Sequence, residues 1–435
     1  MLTSISTILD AINDVYWYIG LVMILGSGIY LSLKTNFIQF KILVNLRRAI
    51  CDLKECNQED AHGVNPLRLY FASIGGMVGI GNVVSIVTAV TIGGPGALFW
   101  LWVAIFLGML IKYTEIYLGI KYREKCAKDA YNGGPMYFLR KTFKSPFVPN
   151  IVAVLFCIYA VEIYQFVVIT DTIQTTFSIN RYVCIVIFLG LIIWTALGGI
   201  KRLSNVCAAL MPPFIITYVL MCLWVIFQNI GELPAILSTV ISSAFTGQSA
   251  VGGFAGASII QAMQQGIARG VYAGDIGVGF DSTLQATTKT KHPERQARMA
   301  IFSLTTQGII CTMTLLVVLI SGMWQEFGTS LDSSQYIPRI LSAYFPYVEA
   351  YMAVLFFLAG FTTIVAYFSV GMKTSRFLSK KYGPACYVGY ALLAFIVFSF
   401  ADQLIAQQVM GLCSGLLLTF NIWGMMRLRK EVKYL

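Results

Sequence analysis

Two glycine-interrupted apolar stretches and one carboxylate are the residues of this sequence best suited to chemistry. Residues 73–85 read SIGGMVGIGNVVS, and residues 250–260 read AVGGFAGASII. A helix broken inside a membrane frees N–H groups and carbonyls that can hold the charged groups of a solute. Such unpaired backbone is tolerated at membrane depth only where it lines a cavity. Each stretch also contains GxxxG, Gly75 to Gly79 and Gly252 to Gly256, and close helix packing alone would explain either one. Their pairing at corresponding places in two halves of the chain favours a transport site. Glu162 lies in another apolar run. A carboxylate at the centre of a span costs about 2.5–3.5 kcal/mol on insertion scales and is usually functional. It could serve proton coupling or recognition of a substrate amine. A structural hydrogen bond, or nearness to water, accounts for it equally well.

Other chemistries lack residues. A GxGxxG dinucleotide loop would need glycine where Val84 stands, after a strand. The two histidines, His62 and His292, are far apart, and no HExxH exists. The ten cysteines show no CxxC spacing; Cys157, Cys184, Cys207, Cys222, Cys311 and Cys413 lie in apolar runs as small hydrophobes. Cys51 and Cys56 fall in a basic loop, where thiols stay reduced if it is cytoplasmic. No clustered nucleophile, base or metal ligands suggest an enzyme, and neither a charged ring nor a repeated filter loop suggests a channel.

The elements that must position these residues are membrane helices. The 435 residues are 57% hydrophobic and only 12% charged, with mean hydropathy +0.73. That leaves too few polar side chains to cover a soluble surface. A span needs about 20 mostly apolar residues, and about 11 runs qualify. They lie near 14–34, 69–92, 96–121, 151–178, 182–199, 206–229, 249–272, 297–323, 348–372, 384–400 and 404–425. The run at 96–121 turns polar at Lys112 and Glu115, which predicts that its last turns project beyond the bilayer. The first run has no basic segment before it and reads as a retained helix rather than a cleaved signal.

The net charge of +11 comes from 31 Lys and Arg. They cluster in every second gap between runs, and only Arg181 and Arg339 occupy the alternate gaps. The positive-inside rule then places the N-terminus outside and the C-terminus in the cytoplasm. Bases at membrane edges set orientation and meet anionic lipid, which argues against nucleic acid as a partner. The segment NFIQFKILVNLRRAICDL reads as an amphipathic helix on the inner surface or as a plain basic linker. Five spans separate the two glycine stretches, and an odd offset threads the second half through the membrane inverted.

At this point the chain resembles the alanine or glycine:cation symporter family, the sodium:alanine carriers. The residues that carry the resemblance are GIGNVVSIVTAVTIGGPGALFW (79–100), KYREK (121–125), GGPMYFLRK (133–141), GGIKRLSNV (198–206) followed by Pro212 and Pro213, SAFTGQSAVGGFAGASIIQAMQQGIARGV (243–271) and FTTIVAY (361–367). The resemblance implies an all-α polytopic protein of the LeuT type, with a peripheral first helix and two inverted five-helix repeats. The corresponding boundaries are 1–68 for the first helix and amphipathic segment, 69–230 and 249–426 for the repeats, and 427–435 for a cytoplasmic tail.

The resemblance also implies a site. Gly79, Ile80, Gly81 and Asn82 look like an unwound centre that holds an amino-acid zwitterion, with Asn82 able to supply a side-chain carbonyl. Phe254 and Gly256 would face the substrate side chain, although lipid or core packing is the plain alternative for Phe254. Thr362 and Thr363 match paired threonines of the family. With backbone at Gly75, Val78 and Ala359 they make the expected sodium site, and Thr363 would also border the substrate. Threonines that only bond back to their own helix are the alternative. Tyr367 would cap the pocket, and Gln165 matches a family glutamine.

The pattern is broken at several pocket positions. Glu162 and Val167 stand where relatives have asparagine, Ile80 where they have threonine, and YAGDIG (272–277) where they read FSNEAG, so that Asp275 would stand in for an acid. Lys112 with Glu115, and Asp275 with Arg269, have spacings that permit ion pairs near an inner gate. The expectation is therefore an inner-membrane symporter coupling sodium to uptake of a small neutral amino acid, alanine- or glycine-like. It needs no cofactor besides the co-transported sodium, and one copy suffices. The alternatives are a different or larger amino acid with proton coupling, or a sensor that binds amino acid without moving it.

Overall fold

The computed structural model describes residues 2–45, 51, 63–126, 130–246, 259–326 and 333–434. The stretch 250–258, with Gly252, Gly253, Phe254, Gly256 and Ala257, lies outside the described residues, as do His62 and Cys56. Helices dominate. In chain order they are α1 (Leu2–Lys34), α2 (Ile38–Val44), α3 (Pro66–Met77), α4 (Val87–Gly93), α5 (Gly96–Lys121), α6 (Pro135–Thr142), α7 (Phe147–Tyr159), α8 (Ile163–Phe177), α9 (Arg181–Leu197) and α10 (Gly199–Gln228). There follow α11 (Leu233–Thr246), α12 (Ile259–Gly274), α13 (Phe280–Gln285), α14 (Pro293–Ala297), α15 (Met299–Ser321), α16 (Ser333–Ser342), α17 (Val348–Leu378), α18 (Gly383–Phe398) and α19 (Gln403–Arg427). One small hairpin pairs Glu124–Cys126 with Ala130–Asn132.

Among the described residues, seven helices are long and apolar enough to cross a membrane. The number is eight when Pro66–Met77 and Ile80–Gly93, bent by 59°, count as one broken span. This falls short of the expected eleven. The runs at 182–199 and 384–400 form shorter apolar helices, and the start of the run at 249–272 is not described. The protein is a multi-pass membrane protein. Val15, Val22, Val186, Trp194, Phe227 and Leu393 are exposed on its helices, a costly arrangement in water and a natural one against lipid tails.

Local signals set the ends of helices. Asn65 accepts the N–H groups of Leu67 (2.9 Å) and Arg68 (3.2 Å), with Pro66 beginning α3; proline fits a first turn because its missing donor is not needed there. Asp402 caps α19 by accepting Leu404 N–H at 2.8 Å. Helix α1 packs on α19 and α5, at the edge of the bundle. Helix α5 is central and packs on α12 and α15. Helix α17 packs on α3, α8 and α10. Of the amphipathic segment, Ile38–Val44 is helical, and Phe37 and Phe40 lie against Phe106 of α5.

The basic segments gather at one end. Val64 is bridged to Thr288, and Arg123 donates to the carbonyls of Ala286, Thr288 and Thr290 at 2.7–3.1 Å. Lys373 Nζ donates to Tyr131 O, Lys34 Nζ to Arg429 O, and Lys121 pairs with Glu431 at 2.7 Å. The Lys121 ammonium and the Tyr122 hydroxyl hold the Glu431 carboxyl below its usual pKa. At the opposite end Arg181 pairs with Asp171, and Arg339 lines a cavity of about 370 Å³ with Asp171, Ser334, Glu349 and Gln403.

Candidate functional site

Three interruptions of helical backbone are described. The first separates α3 from α4. Helix α3 ends at Met77, Val78 leaves helical geometry, and Gly79 is extended before a single tight turn at Ile80–Asn82. Its donors are met by side-chain oxygens rather than by helix. Gly79 N–H donates to Asn82 Oδ1 (3.2 Å), and Ile80 N–H donates to Gln165 Oε1 of α8 (3.1 Å). Both acceptors are neutral amide oxygens.

The glycines have different tasks. A methyl on Gly75 would strike Cys207 of α10, and one on Gly76 would strike Phe280. A methyl on Gly79 would meet Thr363 Oγ1, and one on Gly81 would stand 3.3 Å from the Tyr272 ring. Thus Gly75 serves close packing, while Gly79 and Gly81 keep the broken turn open to side chains of α17 and α12.

The second interruption separates α12 from α13, at 275–279. Asp275, Gly277 and Gly279 all have positive φ, of 49°, 73° and 117°. Lys112 Nζ donates to Gly274 O at 2.6 Å and pairs with Asp281 at 2.7 Å, both side chains fully buried. Asp281 also accepts from Ser73 Oγ at 2.5 Å, and its N–H donates to Asp275 Oδ2 at 3.2 Å. Asn421 Nδ2 donates to the carbonyls of Gly277 (2.9 Å) and Val278 (3.0 Å). Asp275 Oδ1 accepts from Tyr367 Oη at 2.9 Å. The third interruption separates α7 from α8, where Glu162 sits at φ 55°.

The structure brings Gly79, Ile80, Gly81, Asn82, Gln165, Glu162, Thr363 and Tyr367 into one buried neighbourhood, with several differences from expectation. The Asn82 side-chain carbonyl is engaged by Gly79 N–H, and its amide donates to Cys311 Sγ at 3.4 Å, so it closes its own turn. Ile80 enters by its N–H; its side chain packs toward Gly360 and Ile169. Tyr367 stacks on Phe280 at 4.1 Å while its hydroxyl is held by Asp275.

At the expected sodium site, Thr363 Oγ1 lies 3.3 Å from Gly75 O and 3.1 Å from Ala359 O. Thr362 Oγ1 instead bonds to its own helix, at Leu358 O (3.0 Å) and Ala359 O (2.9 Å), and to Met211 Sδ at 3.3 Å. Both threonines thus bond back to their own helix, and Thr363 alone also reaches a carbonyl of α3. Val78 adjoins the group at the end of α3, its N–H donating to Ile74 O.

Phe254 and Gly256 lie outside the described residues. Among the described residues, the second half is broken at 275–279. Lys112 and Glu115, expected near the membrane edge, are wholly buried in protein. Lys112 pairs with Asp281, and Glu115 Oε1 accepts from Ser282 Oγ at 2.6 Å. Sequence reading missed the roles of Tyr272, Asp281, Ser73 and Asn421. The signal available was Gly277 and Gly279 just after Asp275, a spacing suited to positive φ.

Comparison with known proteins places this geometry. The model of the sodium:alanine symporter family matches residues 2–435. The chain is 28% identical to the sodium/alanine symporter AgcS of Methanococcus maripaludis, over 96% of this chain and 95% of that one. It is 26% identical to the probable sodium/glutamine symporter GlnT of Bacillus subtilis, over 97% and 87%. Among solved structures, MhsT in complex with L-phenylalanine superimposes with a TM-score of 0.62 at 13% identity, over 84% of this chain and 89% of that one. That likeness concerns the fold, which is of the LeuT type. With a family match along nearly its whole length, the chain belongs to the sodium:alanine symporter family, a family of membrane symporters rather than enzymes.

Proposed function

We propose that this chain couples inward movement of sodium to uptake of a small neutral amino acid, alanine- or glycine-like, by alternating access. The first repeat spans 69–230 and the inverted second repeat 249–426, after a peripheral segment at 1–68 and before a cytoplasmic tail at 427–435. The N-terminus is outside and the C-terminus inside the plasma membrane; the clustering of basic segments at one molecular end supports this orientation. One copy is sufficient for transport.

The observation that carries the reading is the position of Thr363. Its hydroxyl reaches both Gly75 O on α3 and Ala359 O on its own helix, immediately before the backbone breaks. Hydroxyl and carbonyl oxygens from two elements, beside a carbonyl freed by the break, suit a hard monovalent cation. A cation there would tie α3 to α17 and fix the broken turn at Gly79–Asn82, where an amino-acid carboxylate can replace the amide oxygens. Ion binding and substrate binding would then favour the same arrangement, which is the requirement for coupling.

The test is uptake into proteoliposomes with a panel of amino acids, with and without an inward sodium gradient. Saturable uptake of alanine or glycine that collapses without sodium is expected. Uptake unchanged without sodium but abolished by an uncoupler would refute sodium coupling. Preference for glutamine, the solute in the name of the Bacillus subtilis relative, would replace the cargo and leave the coupling. Binding without flux would make the protein a sensor.

A further inference from the structure

We propose that Glu162 is the acceptor of the substrate's ammonium group, so that the amino acid is held between a carboxylate on α8 and the broken backbone at Gly79–Asn82. This rests on the carrier reading above and assigns the pocket's charge recognition to a single residue.

Glu162 is 2% exposed, and among the described residues it forms no ion pair. Its carboxylate is met by neutral groups, a long hydrogen bond from Tyr272 Oη at 3.4 Å and the Gln165 side chain. Four buried tyrosines gather around this point. Tyr159 stands edge-to-face with Tyr272 (6.4 Å between ring centres) and with Tyr367 (5.6 Å), and Tyr164 edge-to-face with Tyr272 (6.5 Å). Aromatic faces around a carboxylate attract an ammonium group through the ring quadrupole as well as through charge.

Placement relative to the break fits an α-amino acid. Gln165, one helical turn after Glu162, holds Ile80 N–H, while Tyr272 links Glu162 to the face of Gly81. A ligand whose carboxylate displaces the amide oxygen from the broken turn has its ammonium directed toward that first turn of α8.

Backbone geometry supports a chemical role. Glu162 occupies the left-handed region at φ 55° and ψ 48°. Glycine or asparagine adopts that geometry at lower cost, and a glutamate gains nothing from it locally. Strained positions of this kind persist where surroundings enforce them, and they cluster at binding sites. A buried anion without a basic partner is also poorly stabilised by protein alone. An arriving ammonium supplies the missing counter-charge.

The experiment measures binding to purified full-length protein in sodium by thermal shift and calorimetry. The probes are the twenty standard amino acids and, for those that bind, the matching acid lacking the amine, propionate in the case of alanine. The proposal expects Glu162→Gln to weaken amino-acid binding about 10- to 100-fold, the range for removing a charged hydrogen-bond partner. It expects the residual affinity for the deaminated acid to be unchanged, and Glu162→Asp to recover part of the loss. Equal weakening for both probes would make Glu162 structural and overturn the proposal. So would unchanged affinity in Glu162→Gln together with loss of a pH dependence of uptake, which would make the group a proton carrier. Selection in the wild type for amino acids with a second amine, reversed in Glu162→Gln, would also overturn it by assigning the carboxylate to side-chain charge. Absence of sodium-dependent binding in the wild type would instead remove the carrier reading, and this proposal with it.

Discussion

The two glycine-containing breaks, one in each half of the molecule, are stabilised by different chemistry. At Gly79–Asn82 the freed donors are satisfied by neutral amide oxygens, Asn82 and Gln165, at 3.2 and 3.1 Å. At 275–279 the backbone is fixed by ions: the Lys112 ammonium on Gly274 O, its partner Asp281, and Asp275 held by Tyr367. A neutral acceptor can be exchanged for a carboxylate at small net cost, since one hydrogen bond replaces another. A buried ion pair cannot be opened without leaving a charge in low dielectric. The first break therefore has donors whose acceptors can be exchanged, and the second has a shape fixed by charge.

That contrast is most directly broken at Lys112. Lys112→Met leaves Asp281 buried and uncompensated, and we expect a loss of about 3–5 kcal/mol in stability, read as a large drop in thermal unfolding temperature in detergent. Adding Asp281→Asn to Lys112→Met should restore much of it. Equal instability of single and double variants would mean that the pair is not what holds the second break.

At the first break the expected loss is of function rather than of fold. Gly81→Leu forces a branched side chain toward the Tyr272 ring, whose edge stands 3.3 Å from where a methyl on Gly81 would lie. Substrate binding should fall below detection with expression retained. Normal uptake by this variant would displace the pocket from Gly79–Asn82.

The threonines sharpen the comparison further. Thr363→Ala should raise the sodium concentration needed for half-maximal uptake several-fold, because it removes the hydroxyl shared between α3 and α17. Thr362→Ala should change it little, because that hydroxyl is already bonded to its own helix. A reversed order would assign the ion to the other hydroxyl.

The smallest effect is expected at the tail. Glu431 is held by Lys121 and Tyr122 at a partly exposed site, and exposed pairs contribute about 0–1 kcal/mol. Its folded-state pKa is lowered, so the contribution is complete above the ordinary glutamate range and fades as the pH falls through the lowered value. Glu431→Gln should shift unfolding only slightly at neutral pH and not at all in acid. A large shift would mean that the tail is part of the inner closure.

Much of this was legible along the chain. Apolar runs and the spacing of Lys and Arg gave a multi-pass helical protein, and GIGN marked the first break correctly, because glycine in an apolar run leaves a local trace. The glycines paired with it, Gly252 to Gly256, lie outside the described residues. The break at 275–279 is not legible in sequence, because its marks, Asp275, Gly277 and Gly279, are spread through a polar stretch at the end of a run, where a loop reads the same way. For Asn82, sequence shows that a carbonyl is present, and only folding shows that it accepts Gly79 N–H.

What the sequence determined by itself is the solvent and the repertoire: a chain this apolar must satisfy its backbone within helices, and the few interruptions it carries are where polar groups collect. Tertiary structure decided which groups meet. Lys112 joins Asp281 across 169 positions rather than Glu115 one turn away; Thr363 reaches Gly75 while Thr362 turns back on its own helix; and Glu162, among the described residues, lies beside tyrosines without a basic partner. Each outcome depends on how helices distant in sequence cross, and side-chain pairing at a crossing is fixed by packing that no local pattern encodes.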